Sequence, residues 1–157
     1  MTLFETSRLL VRRFEQNDLA PLHVIVSDPA VMRFLEPPFS REQTANFLRE
    51  AGLSSPPLVY AIKEKGSSLL LGHLIYHPFD EESYELGWVL TASAWNQGFA
   101  SELTEAAIAF AKNAKLASLV IECAPMQSVT RHIAEKYGFS LVSEEETLLY
   151  RLCLKDK

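Results

Sequence analysis

Cysteine is scarce in this chain: two of its 157 residues, Cys123 and Cys153. Two thiols cannot staple a disulfide scaffold, and no zinc-ligand spacing joins them to histidines. Both fall in strand-like runs and read as reduced core residues of a reducing compartment. Basic charge is also short, with 15 Lys and Arg against 20 Asp and Glu, a net charge of −5 and a pI near 5.4. A nucleic-acid surface needs a concentrated basic face, so that class is excluded. The acidic balance serves solubility and would also suit a cationic substrate.

Long apolar runs are missing as well. The longest, around Leu69 to Tyr76, is interrupted by Gly72 and His73 and falls far short of a bilayer span. Glu5, Arg8, Arg12 and Arg13 crowd the N-terminal stretch, which therefore does not read as a signal peptide. A cytoplasmic location is the expectation. No repeat, low-complexity tract or second domain boundary interrupts residues 1–157, and this length with 48% hydrophobic residues fits one globular domain.

What is present is a clear order of elements. Arg8 to Phe14 reads as a strand, and Asn17 or Asp18 caps a helix to Val26. Asp28-Pro29 opens another helix around Ala30 to Leu35, which Glu36-Pro37-Pro38-Phe39 breaks. Ser40 and Gln43 form a capping box for a helix to about Ala51, with Phe47 and Leu48 inward and Gly52 as the stop. Leu58–Glu64, Leu69–His77 and Tyr84–Leu90 predict a three-stranded meander. After a long helix, Ser118 to Ala124 returns by a crossover and so runs parallel to the third of these strands. Gln127 to Tyr137 predicts a helix ended by Gly138, and Phe139–Val142 with Thr147–Leu154 a final antiparallel pair. Glu144-Glu145-Glu146 would be its solvated tip. The pattern predicts an α/β (α+β) domain with helices on both faces of a mixed sheet.

The stretch from Tyr84 to Lys112 organises the rest. Leu86, Trp88 and Leu90 alternate as a strand, and Phe99, Leu103, Ala106, Ala107, Phe110 and Ala111 recur at helical steps. Between them, Trp95-Asn96-Gln97-Gly98-Phe99-Ala100 turns into the helix N-terminus, where free amides and the dipole favour an anion. Gly98 and Ala100 would let a ligand approach the backbone closely.

That turn resembles the acetyl-CoA signature Q/R-x-x-G-x-G/A of the GNAT superfamily of N-acetyltransferases. Trp95-Asn96-Gln97-Gly98-Phe99-Ala100-Ser101-Glu102 is similar to the W-G-K-G-Y-A-T-E form of the ribosomal-protein-alanine (RimJ/RimL) branch. Glu5-Thr6-Ser7-Arg8-Leu9-Leu10-Val11-Arg12 is similar to that branch's opening strand, and Glu135-Lys136-Tyr137-Gly138-Phe139 to its closing E-K-x-G-F. The resemblance implies a mostly antiparallel central sheet with one splayed parallel pair, and acetyl-CoA as cosubstrate. Its pantetheine arm would pair with the backbone near Val89 and Leu90. Its phosphates would lie on Trp95, Asn96, Gln97, Gly98, Phe99, Ala100 and Ser101, and Gln127 and Thr130 would touch it from the late helix.

Acetyl transfer to an amine needs a base, a stabilised oxyanion and a leaving thiolate. Glu85 is the candidate base through the resemblance; a solvent-facing carboxylate in an alternating strand is the competing reading. His77, at a strand end, competes for the role, while His73 and His132 read as structural. Three departures from the family pattern stand out. Gln127-Ser128-Val129-Thr130 replaces N-x-x-S, and Ala134 stands where many relatives carry a tyrosine acid. Trp95 replaces the usual Gln or Arg of the turn. The acceptor would be a primary amine, on a protein N-terminus, a polyamine, an amino sugar or an amino acid. An acyl-CoA-binding module without catalysis is the second reading. A Rossmann-like binder is the third, disfavoured because G-x-G-x-x-G is absent and the turn follows an antiparallel meander. No metal, nucleic acid or membrane partner is expected.

Overall fold

The computed structural model describes residues 1–155; the last two positions of the expected 1–157 domain lie outside the described residues. Among the described residues, eight strands form one hydrogen-bonded sheet, ordered β1-β2-β3-β4-β5-β6-β8-β7, and five α-helices accompany it. The strands are β1 (Thr2–Glu5), β2 (Leu9–Arg12), β3 (Val59–Glu64), β4 (Leu70–Pro78), β5 (Ser83–Leu90), β6 (Ser118–Cys123), β7 (Ser140–Glu144) and β8 (Leu148–Cys153). The helices are α1 (Leu19–Val26), α2 (Pro29–Met32), α3 (Arg41–Phe47), α4 (Phe99–Asn113) and α5 (Ser128–Lys136). No helix of the described residues is long and apolar enough to cross a membrane. The chain divides into two compact units, Met1–Ile75 with Trp88–Phe99, and Tyr76–Gly87 with the residues from Ala100 onward.

In the first unit, β1 and β2 form a hairpin where one strand is expected from sequence. Thr6 closes it twice, donating its N–H to the Leu9 carbonyl (2.9 Å) and accepting the Leu9 N–H on Oγ1 (2.9 Å). Leu9 and Val11 alternate inward along β2 and are fully buried. Arg12 and Asp18 make a bidentate pair at 2.8 and 3.0 Å, and Asp18 also accepts the Glu15 N–H (2.8 Å). Burial opposes ionisation of Asp18, yet these hydrogen bonds outweigh it and hold its carboxyl below the usual range.

Ser40 and Gln43 form the expected capping box: Ser40 N–H donates to Gln43 Oε1 (2.8 Å) and Gln43 N–H to Ser40 Oγ (3.1 Å). Beyond Phe47 the helix widens into a five-residue π-type turn over Leu48–Gly52, which carries it through Ala51 to Gly52. Gly52 lies against Phe14, whose ring atom sits 3.0 Å from where a Cβ would project. Phe14, Leu22, Ile25, Val26, Leu48 and Val59 pack into one apolar core here.

Gly72 of β4 meets the β5 backbone: a Cβ there would lie 1.9 Å from the Val89 carbonyl oxygen. Only glycine permits that approach. The same crossing is tied by Thr91 N–H donating to the Leu71 carbonyl (2.7 Å).

In the second unit, β5 and β6 pair in parallel over Ser83–Glu85 and Ser118–Val120. The register ends at Glu85 and Val120, although β6 runs on to Cys123 against β8. Buried Ser83 and Ser118 share a hydrogen bond of 2.6 Å, and Arg151 of β8 donates to both hydroxyls and to Asp80. Tyr76 packs between the tilted ring of Tyr84 (4.8 Å) and Phe110 of α4, which it meets edge to face (5.9 Å).

Helix α5 ends in a Schellman motif. Gly138, at φ 89°, donates its N–H to the Glu135 carbonyl (3.1 Å), and Phe139 to the Ala134 carbonyl (2.9 Å). The Glu135–Phe139 segment is therefore a helix stop with Phe139 buried beyond it. Of the two thiols, Cys123 is buried as expected, whereas Cys153 at the end of β8 is exposed. Cys153 is the last residue of β8, and its Sγ lies 3.9 Å from the Lys155 carbonyl.

Candidate functional site

Two groups of residues bear on function. The first is the turn that leads into α4. Leu90 ends β5, a short 3-10 turn follows over Ala92–Ala94, and the chain then reverses through two left-handed residues, Asn96 (φ 62°) and Gly98 (φ 80°). Asparagine and glycine are the residues that adopt such angles at least cost. Two side chains hold the turn in shape. Trp95 Nε1–H donates to the Leu90 carbonyl (3.0 Å), and Gln97 Nε2–H to the Ser93 carbonyl (2.7 Å).

Trp95, Asn96, Gln97 and Gly98 are all exposed, while Phe99, the first residue of α4, is buried and anchors the helix end. Ala100 and Ser101 continue the first turn, whose leading amides have no intrahelical acceptor. Among the described residues, and leaving aside its neighbours Gln97 and Phe99, a Cβ on Gly98 would meet one heavy atom within 4 Å, Nη2 of Arg8 at 3.5 Å. Open backbone, free amides and a helix dipole fit an anionic ligand such as a pyrophosphate. Val89 is buried with its carbonyl turned onto Gly72.

The second group centres on Glu85. It is half-buried on β5, and its Oε1 lies 3.9 Å from His77 Nε2 on β4. Burial raises the Glu85 carboxyl above its ordinary value, His77 opposes that, and Glu122 adds to it. His77 Nδ1 lies 2.8 Å from the Pro78 carbonyl, which can only accept, so the ring proton sits on Nδ1 and Nε2 faces the carboxylate. From sequence alone these two residues compete for one role; the structure brings them together. The signal was available, since positions 77 and 85 are equidistant from the hairpin tip at Glu81. Phe79 N–H donating to the Ser83 carbonyl (2.9 Å) keeps the same symmetry.

Gln127 spends its Oε1 accepting the Ala124 N–H (2.7 Å), which shapes the loop before α5 and leaves only its amide donors. Thr130 is half-buried on the first turn, and His132 is exposed. Ala134 is fully buried. His73 is buried against the Phe47 ring (5.1 Å), in the first unit.

Residues 8–140 match the model of the Acetyltransferase (GNAT) domain family. The chain belongs to this family. An uncharacterized N-acetyltransferase of Bacillus subtilis (strain 168), YnaD, is 28% identical over 137 residues, covering 85% of this chain and 79% of that protein. The crystal structure of a GNAT-family acetyltransferase from Bacillus anthracis superposes with a TM-score of 0.88 at 26% identity, over 99% of this chain and 100% of that one. RimL, the ribosomal L7/L12 alpha-N-protein acetyltransferase solved with coenzyme A, shares the fold at 18% identity and a TM-score of 0.82, covering 98% of each chain. As a GNAT acetyltransferase, the protein is an enzyme that takes its acetyl group from acetyl-CoA.

Proposed function

We propose that this GNAT enzyme acetylates an α-amino group, with the Asn96–Ser101 turn holding the donor's phosphates and Glu85 taking the amine proton. The open, left-handed Gly98 at the head of α4 carries the donor half of this reading. The amides of Phe99, Ala100 and Ser101 would face the pyrophosphate, and Gln97, Trp95 and Leu90 keep the turn rigid. Val89 and Leu90 would flank the pantetheine arm, and the amide nitrogen of Gln127 with the Thr130 hydroxyl would meet the donor from α5.

The amine must be neutral to attack the thioester carbonyl. Nitrogen forms the new C–N bond, the C–S bond breaks, and the amine proton passes to Glu85 directly or through water. A carboxylate whose pKa is raised by burial is a better base than an exposed one, because its conjugate acid holds the proton more firmly. His77 Nε2 beside it can share that proton. The departing thiolate, with a cysteine-like pKa of about 8.5, can leave without a protein acid. This accommodates Ala134 at the position where many relatives carry a tyrosine.

The same proton argument selects the acceptor. An α-amino group of pKa about 7.7–8.0 is partly neutral at cellular pH, whereas a lysine near 10.4 is almost wholly charged. The fold shared with RimL agrees with a peptide N-terminus as acceptor. Free cysteines and a donor of the cytosolic pool support a single cytoplasmic acetyltransferase domain. Two matched peptides test the acceptor, one with a free N-terminus and blocked lysine, the other reversed. Thiol release should run faster with the first, and mass spectrometry should place the acetyl group on its α-nitrogen. Faster acetylation of the lysine peptide would overturn this choice of acceptor.

A further inference from the structure

Beyond its own chain neighbours, the described residue nearest the open face of Gly98 is neither in the turn nor close to it in sequence. Arg8 lies between β1 and β2, and its backbone is fixed there: its carbonyl accepts the Lys65 N–H at 2.8 Å. From that anchor the side chain crosses to the turn. Its guanidinium carbon lies 4.3 Å from the centroid of the Phe99 ring, a cation–π contact with the first residue of α4. Its Nη2 comes within 3.5 Å of the point where a Cβ on Gly98 would sit.

We infer that Arg8 is the side-chain ligand of the donor's pyrophosphate, a planar cation held over Phe99 so that its fork faces the same space as Gly98. This rests on reading the turn as the donor's phosphate site. The chemistry is specific. An anion lying over Gly98 would meet backbone amides from one side and the guanidinium from the other. A permanent positive charge is thus added to the end of α4 that already carries the partial charge of the dipole. Guanidinium N–H groups match phosphate oxygens two at a time, which an ammonium cannot do. The ring of Phe99, itself only 3% exposed, pre-positions the group, so little side-chain freedom remains to be lost on binding.

The test compares wild type with Arg8→Gln and Arg8→Lys, using acetyl-CoA, its 3′-dephospho form and S-acetylpantetheine, which lacks all phosphates. Calorimetry with CoA should show Kd raised roughly 10- to 100-fold by Arg8→Gln, and by less in Arg8→Lys. The loss should persist with the 3′-dephospho donor and vanish with S-acetylpantetheine, where wild type and both variants should have equal kcat/KM. Recovery already with the 3′-dephospho donor would move Arg8 to the 3′-phosphate and overturn the assignment. Equal loss with all three donors would mean a structural role and overturn it too. Unchanged CoA affinity in both variants would do the same. In that case Gly98→Ala separates the two readings: weakened CoA binding leaves the turn as the donor site without Arg8, and unchanged binding removes both.

Discussion

His73 gives the most quantitative consequence of this structure. Its ring is buried against Phe47, its Nδ1 has no hydrogen-bond partner among the described residues, and burial pulls its pKa from 6.5 to about 4. The folded protein thus keeps a neutral imidazole where the unfolded chain binds a proton. Between pH 6.5 and about 4 the unfolded state holds more protons, so stability rises with pH across that window. It is fully present above pH 6.5 and lost as pH falls towards 4. The interval corresponds to about 3 kcal/mol, a large fraction of the stability of an ordinary domain. Urea unfolding of wild type and His73→Phe from pH 4 to 7.5 isolates the effect, because every other titrating group is common to both proteins and cancels in the difference. Phenylalanine keeps a ring beside Phe47 and cannot titrate. Relative to the variant, wild type should lose about 3 kcal/mol between pH 6.5 and 4, with a flat difference above pH 6.5. Parallel profiles over the whole range would refute the buried neutral imidazole.

Two further perturbations test the frame that carries the site. Gly72→Ala would place a methyl 1.9 Å from the Val89 oxygen, so the β4–β5 backbone must shift. A cost of about 3 kcal/mol and a Tm lowered by roughly 6–12 °C are expected in a thermal scan, and a change under about 2 °C would contradict the close approach. Arg151→Met removes the donor shared by Ser83 and Ser118 at the start of the parallel pair. A loss of about 1–3 kcal/mol is expected, with faster amide hydrogen exchange at Ser83–Glu85; unaltered exchange there would show the cluster is not what holds the register.

Much of the fold was legible because its signals are local. The Ser40–Gln43 capping box, the meander strands and the α4 stripe each occupy a few adjacent residues, and all three appear where the sequence places them. The four residues of β1 were missed because a short, largely exposed edge strand shows little alternation. The insertion of β8 between β6 and β7 was also hidden, since pairings such as Ile121 with Tyr150 join residues far apart in the chain. The candidate site divides in the same way. The Gly98 turn reads directly from its motif, and the Glu85–His77 proximity follows from hairpin symmetry. Arg8 offered no such clue: it lies far from Gly98 along the chain, and only the folded backbone sets its guanidinium there. The Glu135–Phe139 match reads as a helix stop once its two Schellman hydrogen bonds are seen.

The central claim, that Glu85 takes the proton from the acceptor amine, is tested most directly by Glu85→Gln, which keeps the shape of the side chain and removes its basicity. Turnover at saturating acetyl-CoA and neutral pH should fall by about 10²- to 10⁴-fold, while CoA affinity by calorimetry stays within about twofold of wild type. The wild-type kcat/KM should also fall on the acid side with a pKa above that of an ordinary carboxylate, and this limb should disappear in the variant. Turnover within a few-fold of wild type, in a folded Glu85→Gln protein that binds CoA normally, would contradict the account.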